Sequence, residues 1–253
     1  MKLIIILSFL FFNLLLVKAD CGGTPNYCWP DGKTLNKNPV IILSLGDTDL
    51  AISLNTKYVM YLKSKQRIIQ IDIIQICTGG LNMIQLVLKP KTELVSGETY
   101  GLFYRNSKKL FKQITKWDSK SQDIVYIEWK VNNVTDSDLP IWKKEPSIVS
   151  KFHQENGCGP DDWLYFDLSF VENSDVVLKA IIKNILTGTA IICYITQREG
   201  KFQLGHNMCF GDCNFGEEKE YEVVFYLFDE SGNLSKASKA IKFTKPEMEG
   251  WSN

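Results

Sequence analysis

Apolar and polar residues alternate with a period near two through most of the chain beyond Val40. VIILSL, DLAISL, YVMYLKS, RIIQIDIIQIC and MIQLVL are short, rich in Ile, Val, Leu and Tyr, and separated by turn residues. DWLYFDLSF, DVVLKAIIKN, TAIICYITQ, YEVVFYLF and KAIKFTKP repeat the style in the second half, broken by ENS, LTG, REGK and DESGN. Strands recurring about every eight to twelve residues, with Gly, Asn and Asp between them, are the pattern of sandwiches and barrels and predict an all-β fold. The stretch NNVTDSDLPIWKKEPS, 132–147, carries two prolines and little strand pattern. It reads as a break between domains. The expected organisation is an N-terminal β-sandwich over 20–134, a linker over 135–147 and a C-terminal β-sandwich over 148–253.

Each half places a tyrosine after a glycine and a short polar step, in SGETYGLFY and FGEEKEYEVVFYLF. Tyr100 and Tyr221 are therefore candidates for tyrosine corners, whose hydroxyl bonds the backbone where the chain crosses between sheets. The general preference of tyrosine for strands accounts for them equally well.

The first nineteen residues change the picture. Lys2 leads an apolar run from Leu3 to Phe12, broken only by Ser8, and LLLV and KA follow. That layout predicts a secretory signal peptide cleaved after Ala19, and a secreted, surface or periplasmic product. The run is short for a bilayer span, and the C-terminal KPEMEGWSN is polar, so no transmembrane anchor is expected. The formal net charge of zero becomes −2 once Lys2 and Lys18 leave with the leader. A chain without basic excess argues against nucleic acid as a partner.

Two segments resemble known families. PDGKTLNKNPVIIL, 30–43, looks like the opening of bacterial immunoglobulin-like domains of secreted and surface proteins. YEVVFYLFDESGNLS, 221–235, is similar to the end of fibronectin type III sandwiches, where Asp and Gly-Asn turn the last hairpin. The resemblance implies two tandem immunoglobulin-like (fibronectin III-like) β-sandwich domains.

Seven cysteines follow the leader in a chain expected to meet oxidants, so disulfides are the default and the odd count leaves a thiol over. Cys21 and Cys28 flank GGTPNY and are expected to close a small loop. Cys77 ends an Ile-rich strand and is the free-thiol candidate, buried and inert. Cys158, Cys193, Cys209 and Cys213 form an even set. If the second half follows the immunoglobulin arrangement, Cys158 precedes the strand DWLYFDLSF and Cys213 precedes YEVVFYLF at the same end, which favours a bridge from Cys158 to Cys213 or Cys209. The same convergence would bring His153, Cys158, His206, Cys209 and Cys213 within reach of zinc, although an oxidising compartment weighs against thiolate ligands. No metal ligand set or cofactor is assigned.

Catalytic signatures are missing: there is no Gly-x-Ser-x-Gly, His-Glu-x-x-His or phosphate-binding glycine loop. Asp161, Asp162 and Asp167 around Trp163 could be drawn as a glycosidase pair, but neighbouring residues in an extended chain face opposite sides. The chain is therefore not expected to be an enzyme. RNSKKLFKQITKWDSK sets Arg105, Lys108, Lys109, Lys112, Lys116 and Lys120 among apolar residues, a possible polyanion patch or the charged rim that protects an edge strand. Asn133 and Asn233 match the glycosylation acceptor. Trp29, Trp117, Trp142 and Trp251 fall outside the clearest strands and could supply an aromatic platform for sugars, or simply pack. The sequence-level expectation is a secreted, non-catalytic binding or structural protein. It would act through loops or sheet edges on a protein partner, or as a carbohydrate- or polyanion-binding module.

Overall fold

The computed structural model describes residues 23–198 and 200–247, and within them the chain is mostly strand. The segment expected to be a signal peptide, Cys21 and Trp251 lie outside the described residues. The first elements are β1 (Tyr27–Trp29), β2 (Thr34–Leu35), β3 (Ile41–Leu45), helix α1 (Thr48–Thr56), β4 (Val59–Lys63), β5 (Ile68–Cys77), β6 (Ile84–Pro90) and β7 (Thr99–Arg105). Four short strands follow: β8 (Phe111–Gln113), β9 (Thr115–Asp118), β10 (Asp123–Tyr126) and β11 (Glu128–Val131). The second half holds β12 (Ile141–Asn156), β13 (Gly159–Val171), β14 (Val176–Asn184), β15 (Ala190–Ile195), β16 (Gln197–Arg198), β17 (Lys201–His206), β18 (Glu220–Asp229) and β19 (Ile241–Thr244). No helix among the described residues is long and apolar enough to cross a membrane.

The first half departs from the expected sandwich. Its strands form one nine-stranded sheet in the order β1-β3-β6-β5-β4-β7-β11-β2, with β8 also paired to β7. β1 and β2 sit at opposite edges of that sheet, yet only residues 30–33 separate them in sequence. Seven inter-strand steps of about 4.8 Å would hold the edges of a flat sheet about 34 Å apart. The five Cα-to-Cα steps from Trp29 to Thr34 reach no more than about 18 Å when extended. The sheet must therefore roll toward closure, and its concave face is the core: Leu35, Leu43, Leu62, Ile71, Leu88, Leu102 and Trp129 from seven different strands pack into one cluster.

DLAISL, read as a strand, is instead the body of α1. Asp47 caps it by accepting the Leu50 N–H at 2.9 Å, and Ala51 and Leu54, three positions apart, turn into the core. A cap and one buried stripe outweigh an ambiguous short alternation. The Tyr100 hydroxyl accepts the N–H of Val95, five residues upstream, at 3.5 Å, as a tyrosine corner requires. Tyr221 differs: it stacks on Phe243 and makes no comparable backbone bond.

The second half is two facing four-stranded sheets, β12-β13-β17-β16 and β15-β14-β18-β19. Leu164, Phe166 and Leu204 of one sheet meet Leu178, Ile195 and Phe225 of the other in a single core. The expected linker is shorter than 135–147, because β12 already begins at Ile141 and pairs with β13 from there. The two halves dock firmly. Trp29, Ile42, Cys77 and Val87 pack against Val177, Tyr194 and Phe228, while Leu81 and Gly211 exchange two backbone hydrogen bonds of 3.0 and 3.1 Å.

Candidate functional site

Where the halves meet, they leave a cleft of about 690 Å³, within the usual size of ligand sites, which favour domain interfaces. β1 contributes Tyr27 and Trp29, β9 contributes Trp117, the end of β13 contributes Phe170, and β16 contributes Arg198. Trp29 is buried against Phe228, whereas Tyr27, Trp117 and Phe170 remain half-buried.

The floor of the cleft is polar. Gln85 of β6 is buried, and its amide works as a strand partner for Tyr194 on β15: it accepts the Tyr194 N–H and donates to the Tyr194 carbonyl, each at 2.8 Å. The same amide nitrogen donates to Asp212 at 3.2 Å and lies 3.4 Å from the Ser44 hydroxyl. Arg198 donates to the other Asp212 oxygen at 3.3 Å, and its guanidinium lies 5.8 Å from the Tyr27 ring centre and 5.9 Å from that of Trp163. Burial pushes the Asp212 carboxyl above the ordinary carboxylate range, against the pull of Arg198. Burial likewise raises the Tyr27 phenol. On the opposite wall Lys116, nearly enclosed, is ion-paired with Asp31.

A second polar cluster lies inside the sandwich. Asp162 on β13 is fully buried, and the two histidines of the chain flank it. His153 Nδ1–H on β12 donates to Asp162 Oδ1 at 2.6 Å, while His206 Nε2 on β17 stands 3.9 Å from Oδ2 and Lys245 Nζ 3.6 Å from it. Gly205 makes that approach possible: a side chain there would start 1.8 Å from the Asp162 carbonyl oxygen, at φ +139°. The zinc set weighed as an alternative to disulfides does not assemble around the histidines. Cys213 is bonded to Cys193, Cys209 is also in a disulfide, and what the imidazoles share is a carboxylate. Asp161 accepts the Met208 N–H and Asp167 pairs with Lys144 at the surface, so no glycosidase pair forms with Asp162.

The disulfide pattern corrects two expectations. Cys193 faces inward from β15 and meets Cys213 across the core, with Cα atoms 6.1 Å apart. Cys158 is a free thiol at the tip of the β12–β13 hairpin, outside that core. Cys28 is not bridged either. β1 pairs with β3 and turns its sulfur into the core, where burial pushes the thiol up to about 12. Cys77 is free and buried, its thiol pushed up to about 11.

The basic segment is divided by the fold. Arg105, Lys108, Lys109 and Lys112 are exposed around the β7–β8 turn, Lys120 sits on the separate β9–β10 turn, and Lys116 is neutralised by Asp31. Trp142 is half-buried with its Nε1 donating to the Lys236 carbonyl at 2.9 Å. Asn133 is exposed, whereas the Asn233 amide donates to Asp229 at 2.9 Å and Ser235 is buried. Carboxylate oxygens of Asp136, Glu172 and Asp229 lie within 4.8 Å of one another, a donor set suited to a hard cation. One oxygen of each already accepts a backbone N–H from a nearby residue.

Sequence reasoning missed Arg198, Gln85 and Asp212. Nothing in their local sequence distinguishes them, since the site exists only where the halves meet. No protein-family model matches the chain, and no curated protein sequence matches it.

Proposed function

We propose that the protein is a secreted, non-catalytic binding protein that seats its ligand in the cleft between the two halves. The observation that carries this reading is the cleft itself: half-buried Tyr27, Trp117 and Phe170 around a fixed polar floor of Gln85, Asp212 and Arg198. Such a mixture of apolar walls and a few oriented polar groups is what ligand sites present. Firm docking of the halves supports a pre-formed site, which lowers the ordering cost of binding.

The second half is of fibronectin or immunoglobulin type in this reading. Its first, second, sixth and fifth strands share one sheet, and its fourth, third, seventh and eighth share the other. This grouping supports that assignment. A protein partner at a sheet edge is the second reading, favoured by the β9–β10 hairpin, where Ile124 and Tyr126 are about two-thirds exposed, at 65% and 64%.

Thr196→Trp, which fills the cleft, tests the proposal against Ile124→Asp on the hairpin. Labelled protein is applied to the surface of the cells that secrete it. Loss of binding with the cleft variant alone supports the proposal, and unchanged binding with that variant overturns it.

A further inference from the structure

We infer that the ligand of this cleft is the end of an uncharged carbohydrate chain, an inference that rests on the cleft being the binding site. Charge is the first argument. The lining holds Asp31, Asp175 and Asp212 against Arg198 alone. Asp31 is paired with Lys116 and Asp212 with Arg198, whereas Asp175 has no ion pair among the described residues. An anionic ligand would find no unpaired cation and would meet the Asp175 carboxylate.

A cationic ligand would find one carboxylate without an ion pair among the described residues, Asp175, and that side chain is exposed, where a lone ion pair gains little. The aromatic face that would attract it, Tyr27, is already covered by the Arg198 guanidinium, and Asp212 is already neutralised by the same group. The internal arginine occupies the place a ligand cation would take.

An apolar ligand is disfavoured by the remaining groups. Ser44, Ser119, Ser174, Thr196 and Gln197 bring hydroxyl and amide groups to the lining. Ser44, Ser174 and the Gln197 amide nitrogen are bonded within the protein, but hydrocarbon laid over the Ser119 and Thr196 hydroxyls would desolvate them with no partner to replace water. Sugar hydroxyls are both donors and acceptors and can satisfy such a set.

The half-buried rings supply the complementary surface. Trp117 and Phe170 offer apolar faces on which the C–H side of a pyranose ring packs. The register of the β9–β10 hairpin pairs Trp117 with Ile124, and the Trp117 backbone N–H is tied to the Asn26 carbonyl at 2.9 Å. The platform is thus held in place before a ligand arrives.

The test uses the full mature chain. Titration calorimetry with neutral trisaccharides of hexose and of N-acetylhexosamine is compared with sulfated and sialylated counterparts and with a neutral peptide. Saturable binding of a neutral sugar is expected, weakened at least tenfold in Trp117→Ala with the melting temperature unchanged, and unaffected in Lys112→Ala on β8, outside the cleft lining. Asp175→Lys is expected to admit the anionic sugars. Preferred binding of the sulfated or sialylated sugars, or of the peptide, overturns the carbohydrate inference. So does the absence of any neutral-sugar binding. If cell-surface binding is nevertheless lost in Thr196→Trp, the cleft reading stands and only the ligand class falls. If it persists, both fall.

Discussion

Replacing Gln85 by leucine removes a side chain of similar size that bridges the two halves. Tyr194 is buried, and Gln85 is the partner of its N–H and its carbonyl on the open side of β15, each at 2.8 Å. Leucine would leave both backbone groups orphaned, at about 1–3 kcal/mol each. It would also remove one of the two donors that hold Asp212, the other being Arg198. The expected loss is about 3–5 kcal/mol, a large part of the ~5–15 kcal/mol that stabilises a typical domain. With an m-value of about 2 kcal/mol/M, the urea midpoint falls by about 2 M. Gln85→Glu keeps an acceptor for the Tyr194 N–H but sets a carboxylate beside Asp212, so it should be at least as damaging at pH 7 and recover on acidification. Ser44→Ala, which touches only the 3.4 Å contact, should change little. A Gln85→Leu midpoint within about 0.5 M of the wild type would refute the reasoning, because two buried unpaired backbone groups would then cost under about 1 kcal/mol.

Other substitutions probe separate parts of the fold. Gly205→Ala places a methyl against the Asp162 carbonyl at a φ of +139°, and should cost at least ~3 kcal/mol; a melting point within a few degrees of wild type would contradict this. Removing the Cys193–Cys213 bridge, which closes a sequence separation of 20, should cost about 3 kcal/mol in a paired Ser variant followed by urea titration. Burial pushes the Glu230 carboxyl from the ordinary 4.5 up to about 7. The folded state then holds a proton that the unfolded chain has released across that interval, so stability falls as pH rises from 4.5 to about 7 and levels off above it. Glu230→Gln, which keeps an acceptor for the Asn36 N–H, should flatten that slope in melting curves and exceed the wild type at pH 8. In a host with the glycosylation machinery, Asn133→Gln should abolish a glycosidase-sensitive mass shift, since Asn133 is exposed.

Long alternating runs were legible in the sequence. RIIQIDIIQIC, DWLYFDLSF and YEVVFYLF each became a strand, since burial of every second residue on one face needs no knowledge of the partner. DLAISL misled because six residues fit either period, and only Asp47 as a cap and the inward turn of Ala51 and Leu54 decide for a helix. The rolling of the first sheet was hidden for a different reason. It depends on β1 and β2, three and two residues long, reaching opposite edges, and no periodicity survives in so few residues. The partner of Cys213 depends on which strand faces it across the core. That is a property of the packed sandwich and not of the spacing of Cys209 and Cys213 in the segment HNMCFGDC, 206–213. Of the cleft, only Trp117 and Trp29 stood out in the sequence, as tryptophans outside the clearest alternating runs, although both lie on short strands; Arg198, Gln85 and Asp212 come from three separate segments.

Gln85 also hides something. β15 is the outer strand of its sheet, and such a margin, with free N–H and carbonyl groups, is an invitation to pair with another chain. One side-chain amide and the apolar surface of Trp29, Val87 and Tyr194 close that margin off. The second half produced alone would bare it, along with the surrounding apolar residues, and should self-associate through strand pairing. Association of the halves thus guards solubility as well as shaping the cleft.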